Sequence, residues 1–347
     1  MKSTVQDVAR RAGVSAGTVS NALTGKRPVA QATHQRILAA MHELGYQPNL
    51  MARGLVNQRS HVLSIVINEL HDLGFYGYSS ALNGIQVRAN QLGYSLMLHF
   101  VNGSTEQEIF ATLDQIRSRQ ADGIIWAIHE IGENRAWVRD IQPENYPPLL
   151  FLHMHPEPTL NVVSIDNQAG ASLAVSHLIE QGCRTVGILT GPQDWWESKA
   201  RLAGWRQTLQ QAGLEADSSL VVEGNWLADS GQSGMELLLK QRPDLDAIFA
   251  CNDSMALGVI HTSRRHGLSI PEDLLLVGYD NTPEAASYWP PLTSVHQGLL
   301  QSGQIAVDEL HQIIEAATDE PISPRQHILQ PELIIRQSSL RKKDTRR

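Results

Sequence analysis

The stretch that decides the architecture runs from residue 4 to residue 23: Thr4-Val5-Gln6-Asp7-Val8-Ala9-Arg10-Arg11-Ala12-Gly13-Val14-Ser15-Ala16-Gly17-Thr18-Val19-Ser20-Asn21-Ala22-Leu23. Its apolar spacing predicts two short helices joined by a tight Gly13-Val14 turn, with Ser15 as the N-cap of the second. That order is a helix-turn-helix, whose second helix can push its N-terminus into the DNA major groove. A third helix is expected over 32–44, where Ile37, Ala40, Met41 and Leu44 share a face and Gly45 stops it. Together with Val5, Val8, Ala9, Val14, Val19 and Leu23, these residues suffice for a minimal three-helix core.

Charge supports the same reading. The 347 residues carry a net charge of -8, which taken alone argues against a polyanionic partner. Up to Ser60, however, Lys2, Arg10, Arg11, Lys26, Arg27, Arg36, Arg53 and Arg59 face only Asp7 and Glu43. Eight bases less two acids leave +6 there and −14 on the remainder, an electrostatic footprint for nucleic acid confined to one end. A hydrophobic content of 42% with 18% charged residues suits a soluble chain, and the length suits two or three domains. Two cysteines, Cys183 and Cys251, are too few for a disulfide framework and point to a reducing compartment. With no apolar leader and no spanning run, a cytoplasmic protein without membrane contact is expected.

Pro48-Asn49 opens a segment, 49–56, suited to a two-turn helix too short to be stable alone, and 57–60 read as a polar linker. From His61 onward apolar strands alternate with amphipathic helices. Strands are expected at 61–67, 94–100, 123–128 and 149–154, then in a second set at 162–165, 185–190, 220–223, 247–250 and 274–278. Helices are expected at 76–92, 106–119, 168–181, 199–212, 229–241 and 253–266. This β-α-β order with near-continuous apolar strands implies an α/β fold of doubly wound parallel sheets covered on both faces. A break at His155-Pro156-Glu157-Pro158 suggests two lobes, with a ligand cleft beyond the carboxyl ends of the strands.

Several ordered motifs then coincide. They are Val5-Gln6-Asp7-Val8-Ala9 through Gly13-Val14-Ser15 and Thr18-Val19-Ser20; Gly45-Tyr46-Gln47-Pro48-Asn49; Val163-Ser164-Ile165-Asp166-Asn167; Arg201-Leu202-Ala203-Gly204-Trp205; Asn252-Asp253-Ser254-Met255-Ala256-Leu257-Gly258; and Val277-Gly278-Tyr279-Asp280. Along nearly its whole length the chain resembles the lactose-repressor (LacI/GalR) family of bacterial transcription regulators. The resemblance implies a helix-turn-helix domain over 1–45, a hinge helix and linker over 46–60, and a two-lobed core like that of periplasmic binding proteins over 61–340. A basic tail, 341–347, follows. Crossovers between lobes are implied near Leu160, Pro291 and Pro321, so that lobe 1 takes 61–160 and 292–320, and lobe 2 takes 161–291 and 321–340.

By the same resemblance Ala16, Gly17 and Asn21 fall at base-reading positions. Asn21 can bond adenine bidentately and Ala16 can touch a thymine methyl, although Ala16 and Gly17 equally suit mere close backbone approach. Thr4, Ser15, Thr18, Ser20, Asn49 and Arg53 fall at phosphate-contacting positions, Ala52 on the hinge segment is a further DNA-binding candidate, and Leu55 occupies the position of a minor-groove lever. Arg201, Trp226, Asn252 and Asp280 match positions that hold the small-molecule effector, and their chemistry fits a sugar. A carboxylate accepts from vicinal hydroxyls, a guanidinium donates to them, and an indole packs on the apolar face of a pyranose. Ordinary packing for Trp226 and a helix N-cap before Thr282-Pro283 for Asp280 stay open. Phe75, Tyr76, His153 and Trp195 are further effector candidates, with Trp196 beside the last; a loop without ligand role is equally compatible with the two tryptophans. His153 stands where the family's namesake has an acidic residue, and Leu299 where it has an aromatic one.

Other chemistries find less support. His153-x-His155 with His129 raises a metal site, but no cysteine or acidic ligand accompanies them in sequence, so satisfied histidines are expected and no metal or cofactor is assigned. There is no Gly-x-Ser-x-Gly elbow, dinucleotide fingerprint or phosphate-binding loop. The expectation is therefore a non-enzymatic regulator, a homodimer on a palindromic operator, controlled by a sugar with galactosides among the candidates. A purine or nucleoside effector, a sugar receptor without regulatory role, and an enzyme using Asp280 and Asp253 as paired carboxylates are the alternatives.

Overall fold

Thr4 starts the first helix by a reciprocal cap. Its hydroxyl accepts from the Asp7 N–H at 3.3 Å, and the Asp7 carboxylate accepts from the Thr4 N–H at 3.0 Å. Helix α1 (Val5–Ala12) ends at Gly13, whose left-handed φ of 67° would strain a side-chain-bearing residue. Ser15 opens α2 (Ala16–Thr24) by accepting from the Thr18 N–H at 3.0 Å. Helix α3 spans Gln31–Glu43, one residue earlier at each end than its apolar pattern suggests. Val8, Ala9, Ala12, Val19, Ile37 and Ala40 form the buried centre of this small core.

The computed structural model describes residues 3–24, 27–46, 59–68, 76–101, 105–316 and 323–341, the side chains of 24 and 76–78 excepted. The chain divides into two compact units, 1–60 and 61–347. The hinge segment, with Asn49, Ala52, Arg53 and Leu55, lies outside the described residues. So do Phe75, the Tyr76 side chain and residues 342–347 of the basic tail.

The second unit is built on two six-stranded sheets. The first contains β1 (Val62–Ile67), β2 (Ser95–Phe100), β3 (Gly123–Trp126), β4 (Leu149–Leu152), β5 (Asn161–Ile165) and β11 (Gln326–Leu329). Its spatial order is β11-β5-β4-β3-β1-β2, parallel throughout. The second contains β6 (Val186–Thr190), β7 (Val221–Glu223), β8 (Ala247–Ala250), β9 (Leu275–Asp280), β10 (Thr293–His296) and β12 (Glu332–Ile334). Its order is β12-β10-β9-β8-β6-β7, with only β12 antiparallel. Helices α4 (Tyr76–Gln91), α5 (Glu106–Ser118) and α10 (Leu299–Ala316) serve the first lobe. Helices α6 (Asn167–Glu180), α7 (Trp196–Gln211), α8 (Ala228–Gln241) and α9 (Asp253–Arg265) serve the second. Each sheet is covered on both faces, which is why its inner strands read as unbroken apolar runs.

The lobe boundaries differ from those implied near Leu160, Pro291 and Pro321. Strand β5 belongs to the first sheet, because the 155–160 segment turns back to lay it parallel to β4. Strand β10 belongs to the second sheet beside β9, and β11 returns to the first beside β5. The chain therefore crosses between lobes after Ile165, after His296 and between Leu329 and Glu332. A Pro-rich break marks a loop inside a lobe here, and strand pairing sets the crossovers.

Helices α4 and α10 pack through two reciprocal glycines. A Cβ on Gly84 would lie 2.0 Å from the Leu300 carbonyl oxygen, and one on Gly303 would lie 2.0 Å from that of Ala81. Neither backbone can retreat alone, since each helix also covers the first sheet. Gly303→Ala is therefore expected to destabilise the second unit by about 1–3 kcal/mol through overpacking, read as a lowered urea midpoint at unchanged slope.

Candidate functional site

In the first unit, Val19 is fully buried against α1 and α3, which turns Ala16, Gly17 and Ser20 of α2 outward. Thr18 and Asn21 flank that face, half-buried. The hydroxyls of Ser15 and Thr18 sit 2.9 Å apart at the start of α2, so both serve the cap as well as the exposed helix end. A Cβ on Gly17 would meet nothing closer than the Ser15 Oγ at 3.6 Å. Nothing within the unit demands a glycine there. The helix N-terminus with small residues on its open face is a surface that another backbone can approach closely.

In the second unit, a cavity opens between the lobes, beyond the carboxyl ends of the strands. Leu152, Val163, Ile165 and Leu299 give it an apolar floor, while His129, His153, Trp195, Glu197, Arg201, Trp226, Asn252, Asp280 and Gln297 supply the polar and aromatic wall. Every described effector candidate, His153, Trp195, Arg201, Trp226, Asn252 and Asp280, thus lines one cavity. Trp196, named with Trp195, lines it too, and residues the sequence reading did not assign to the effector join them: His129, Asn167, Glu197, Gln297 and Ser302.

Arg201, on α7, is almost fully buried and held on every side. Its Nε donates to Asn167 Oδ1 at 2.8 Å, and one terminal nitrogen donates to the Cys251 carbonyl. The other reaches Gln297 Oε1 at 3.5 Å, while the guanidinium plane lies 3.7 Å from the Tyr279 ring centre. Asn252 caps α9 by accepting from the Met255 N–H at 2.8 Å and donates its amide to the Trp226 carbonyl at 2.8 Å. It thereby pins Trp226, whose φ is 71°. Gly191 must stay a glycine for the indole to lie where it does, since a Cβ there would be 2.0 Å from Trp226 Cζ2. Trp195 and Trp226 meet edge to face at 5.7 Å, and the Trp226 N–H is buried without an acceptor among the described residues. That donor is one a ligand oxygen would satisfy.

Asp280 ends β9 with φ 105° and accepts from Gln297 Nε2 at 2.6 Å. Burial pushes its carboxyl up to about 7; Arg201 opposes the shift and Asp253 adds to it. The helix N-cap role open to Asp280 is not taken up: Thr282 is the N-cap of the 283–287 turn, without a side-chain cap bond. Asp253 is fully buried and accepts from the Thr282 N–H at 2.8 Å and from Ser294 Oγ at 2.6 Å. It does not line the cavity, so the two carboxylates cannot flank a substrate as a catalytic pair. The lobes also touch directly at the cleft lip. The Trp196 N–H donates to the Glu130 carbonyl at 3.0 Å, and the Gly132 N–H donates to that of Asp194 at 2.9 Å.

Comparison with known proteins agrees with this geometry. Residues 4–49 match the family described as bacterial regulatory proteins, lacI family, and residues 175–339 match the periplasmic binding protein-like domain. The HTH-type transcriptional regulator CelR of Thermobifida fusca is 32% identical over 341 residues, covering 96% of this chain and 98% of its own. The chain belongs to the LacI family. A solved CelR–cellobiose complex matches at 31% identity and TM-score 0.72 over 97% of this chain and 100% of its own. The lac repressor dimer bound to operator and the anti-inducer ONPF matches at 28% identity and TM-score 0.82, over 98% of this chain and 100% of its own. As a LacI-family member the chain is a DNA-binding transcriptional regulator, in a family that is not enzymatic. Among the described residues no helix is long and apolar enough to cross a membrane.

The two aspartates of this LacI-family core should separate cleanly. Asp253→Ala is expected to cost about 2–4 kcal/mol in denaturant unfolding, because it strands the Thr282 N–H and Ser294 hydroxyl. Asp280→Ala should leave folding and operator retention near the parent chain while abolishing the effector response. In the first unit, Gly17→Ala should raise helix stability by roughly 1 kcal/mol, seen as slower amide exchange along α2. A fall in operator affinity in the same variant would place that face against DNA.

Proposed function

We propose that this regulator is a homodimeric repressor whose operator affinity is set by a small sugar held between the two lobes. The single observation that carries the effector class is the wall opposite the apolar floor. Edge-to-face Trp195 and Trp226 stand beside the Arg201 guanidinium and the Asp280 carboxylate. A pyranose presents the matching surface, with an apolar face for an indole and equatorial hydroxyls for a donor fork and an acceptor. The cellobiose bound by CelR is in keeping with that class. His153 is neutral, held well below the usual histidine range by burial, with His129 and Arg135 adding to the effect. A free purine base would use the aromatic pair but offers no vicinal hydroxyls to Arg201 and Asp280, and a nucleoside offers them only on its ribose.

Dimerisation follows from recognition, since one α2 reads one half-site and a two-fold pair reads a palindrome. The proposed readers are Ala16, Gly17 and Asn21, with Thr4, Ser15, Thr18, Ser20, Asn49 and Arg53 on phosphates and Leu55 in the minor groove. In sequence the hinge segment and its linker precede β1 (Val62–Ile67) of the first lobe. Closure of the lobes on a ligand would shift the attachment points of two hinges and so change operator affinity.

The test is a mobility-shift assay on palindromic DNA from upstream of the regulator's own gene, repeated across cellobiose, galactosides, glucosides and purines. One sugar class should release or tighten the complex, and a chain that retards no palindrome at low ionic strength overturns the proposal. The same sugar should stabilise the protein by about 2.7 kcal/mol at 100 times its Kd. Its affinity should also depend on pH. Ligand hydroxyls donate to the ionised Asp280 carboxylate, whose titration lies near 7, so affinity rises with pH up to that point and levels above it. Isothermal titration between about pH 5.5 and 8.5 should show this slope in the parent chain and its absence in Asp280→Asn.

A further inference from the structure

We propose that His129, His153 and Glu197 form a site for one divalent transition-metal ion of the Zn²⁺ class, bridging the two lobes. The proposal does not depend on which small molecule the cavity takes. One ligand atom from each of the three residues lies within 4.8 Å of the other two. His129 Nδ1 is 2.5 Å from Glu197 Oε1, and the His129 and His153 rings stack at 4.4 Å with 29° between their planes. Donors bound tetrahedrally at about 2.1 Å stand roughly 3.4 Å apart. Small rotations of these side chains therefore bring the set to coordinating distance, with the ion taking the place of the proton between His129 and Glu197.

The backbone presents these donors for a reason of topology. His129 follows β3 and His153 follows β4, neighbouring strands whose carboxyl ends face the cleft. Glu197 is the second residue of α7, across the cleft in the other lobe. The lip contacts Trp196 N–H to Glu130 carbonyl and Gly132 N–H to Asp194 carbonyl hold the facing loops in register beside them. Glu197 is buried, and its second oxygen has no hydrogen-bond partner among the described residues. A buried carboxylate oxygen left so is a demand for a cation or donor.

Two imidazoles with a carboxylate suit Zn²⁺, Co²⁺ or Ni²⁺ and not the harder Mg²⁺ or Ca²⁺, which prefer oxygen shells. Three protein ligands leave a fourth position for water or for a hydroxyl of a ligand in the adjoining cavity. Because donors come from both lobes, the ion favours the closed arrangement, and any ligand that also closes the cleft is thermodynamically linked to it. His155 is not part of this set. It is half exposed and bonds Glu130 at 2.7 Å, with Glu157 3.7 Å away.

The experiment uses the full, tag-free chain stripped with a chelator, then titrated with Co²⁺ and with Zn²⁺ in equilibrium dialysis. One ion per chain should bind, and Co²⁺ should give the intense visible absorption of a four- or five-coordinate site, displaced by Zn²⁺. His153→Gln and the nearly isosteric Glu197→Gln, which keeps an acceptor for His129, should each weaken binding by more than about 100-fold, beyond the cost of a mere outer-shell partner. His155→Ala should bind as the parent does. Absence of stoichiometric binding overturns the proposal, as does binding that survives both glutamine variants or is lost only with His155→Ala.

Discussion

A single buried guanidinium holds the second unit in its working shape. Arg201 brings a full charge into the interior, which is tolerable only because its donors and its face are matched. Two of its partners, Asn167 and Gln297, stand within two residues of the strand ends at which the chain passes between lobes. Its plane lies on Tyr279, one residue before Asp280. The crossovers and the cavity wall therefore share one group. A ligand that competes for Arg201 or Asp280 necessarily alters what two of the three crossovers feel, and no relay of intermediate residues has to be invoked.

The polar residues around the cavity divide by whether their bonds are already spent. Asp253 and Asn252 are committed, the first to Thr282 and Ser294, the second to Met255 and the Trp226 carbonyl. They build the wall. Asp280 keeps one oxygen beyond its bond to Gln297, and the Trp226 N–H remains unanswered among the described residues. These are the groups with capacity left for a ligand. The distinction comes from hydrogen bonds and burial, because adjacent residues of the Asn252-Asp253 motif differ in access: Asn252 lines the cavity and Asp253 is sealed beneath it.

Those facts also explain what the sequence could reveal. The helix-turn-helix is legible because its signals are local: a Thr4–Asp7 box, Gly13 in a left-handed turn and Ser15 as cap all act within three or four residues. The inner strands are legible because burial on both faces makes them apolar throughout. Strands β10 and β11 give no such signal, being short and rich in polar residues, and β11 is exposed at three of its four positions. Pairing with distant strands decides their lobe, and no local pattern records it. The same non-locality hides His129, Asn167, Glu197 and Gln297 as cavity residues. Each is an ordinary residue type just beyond a strand end or at a helix start, and becomes a site residue only once the crossovers are placed correctly. Arg201, Trp226, Asn252 and Asp280 are legible through the family resemblance, since neither periodicity nor spacing distinguishes them.

The distribution of the site between lobes bears on how a signal could leave it. Arg201, Trp226, Asn252 and Asp280 all belong to the second lobe, whereas the first contributes His129, Leu152 and His153 beyond or at the ends of β3 and β4, Val163 and Ile165 of β5, and Leu299 and Ser302 of α10. The cavity is thus lined from both lobes, with the guanidinium and carboxylates on the second and most of the apolar floor on the first. Strand β1, which receives the chain from the DNA-binding unit, lies between β3 and β2 in the first sheet. Displacing the ends of β3 and β4 moves a sheet in which β1 is an interior member, and the reciprocal glycine contact of α4 and α10 locks the helices of that lobe to the same body. Interiors this closely packed shift as units and do not deform locally. The free energy available to change operator affinity is then bounded by the difference in ligand contact between open and closed lobes.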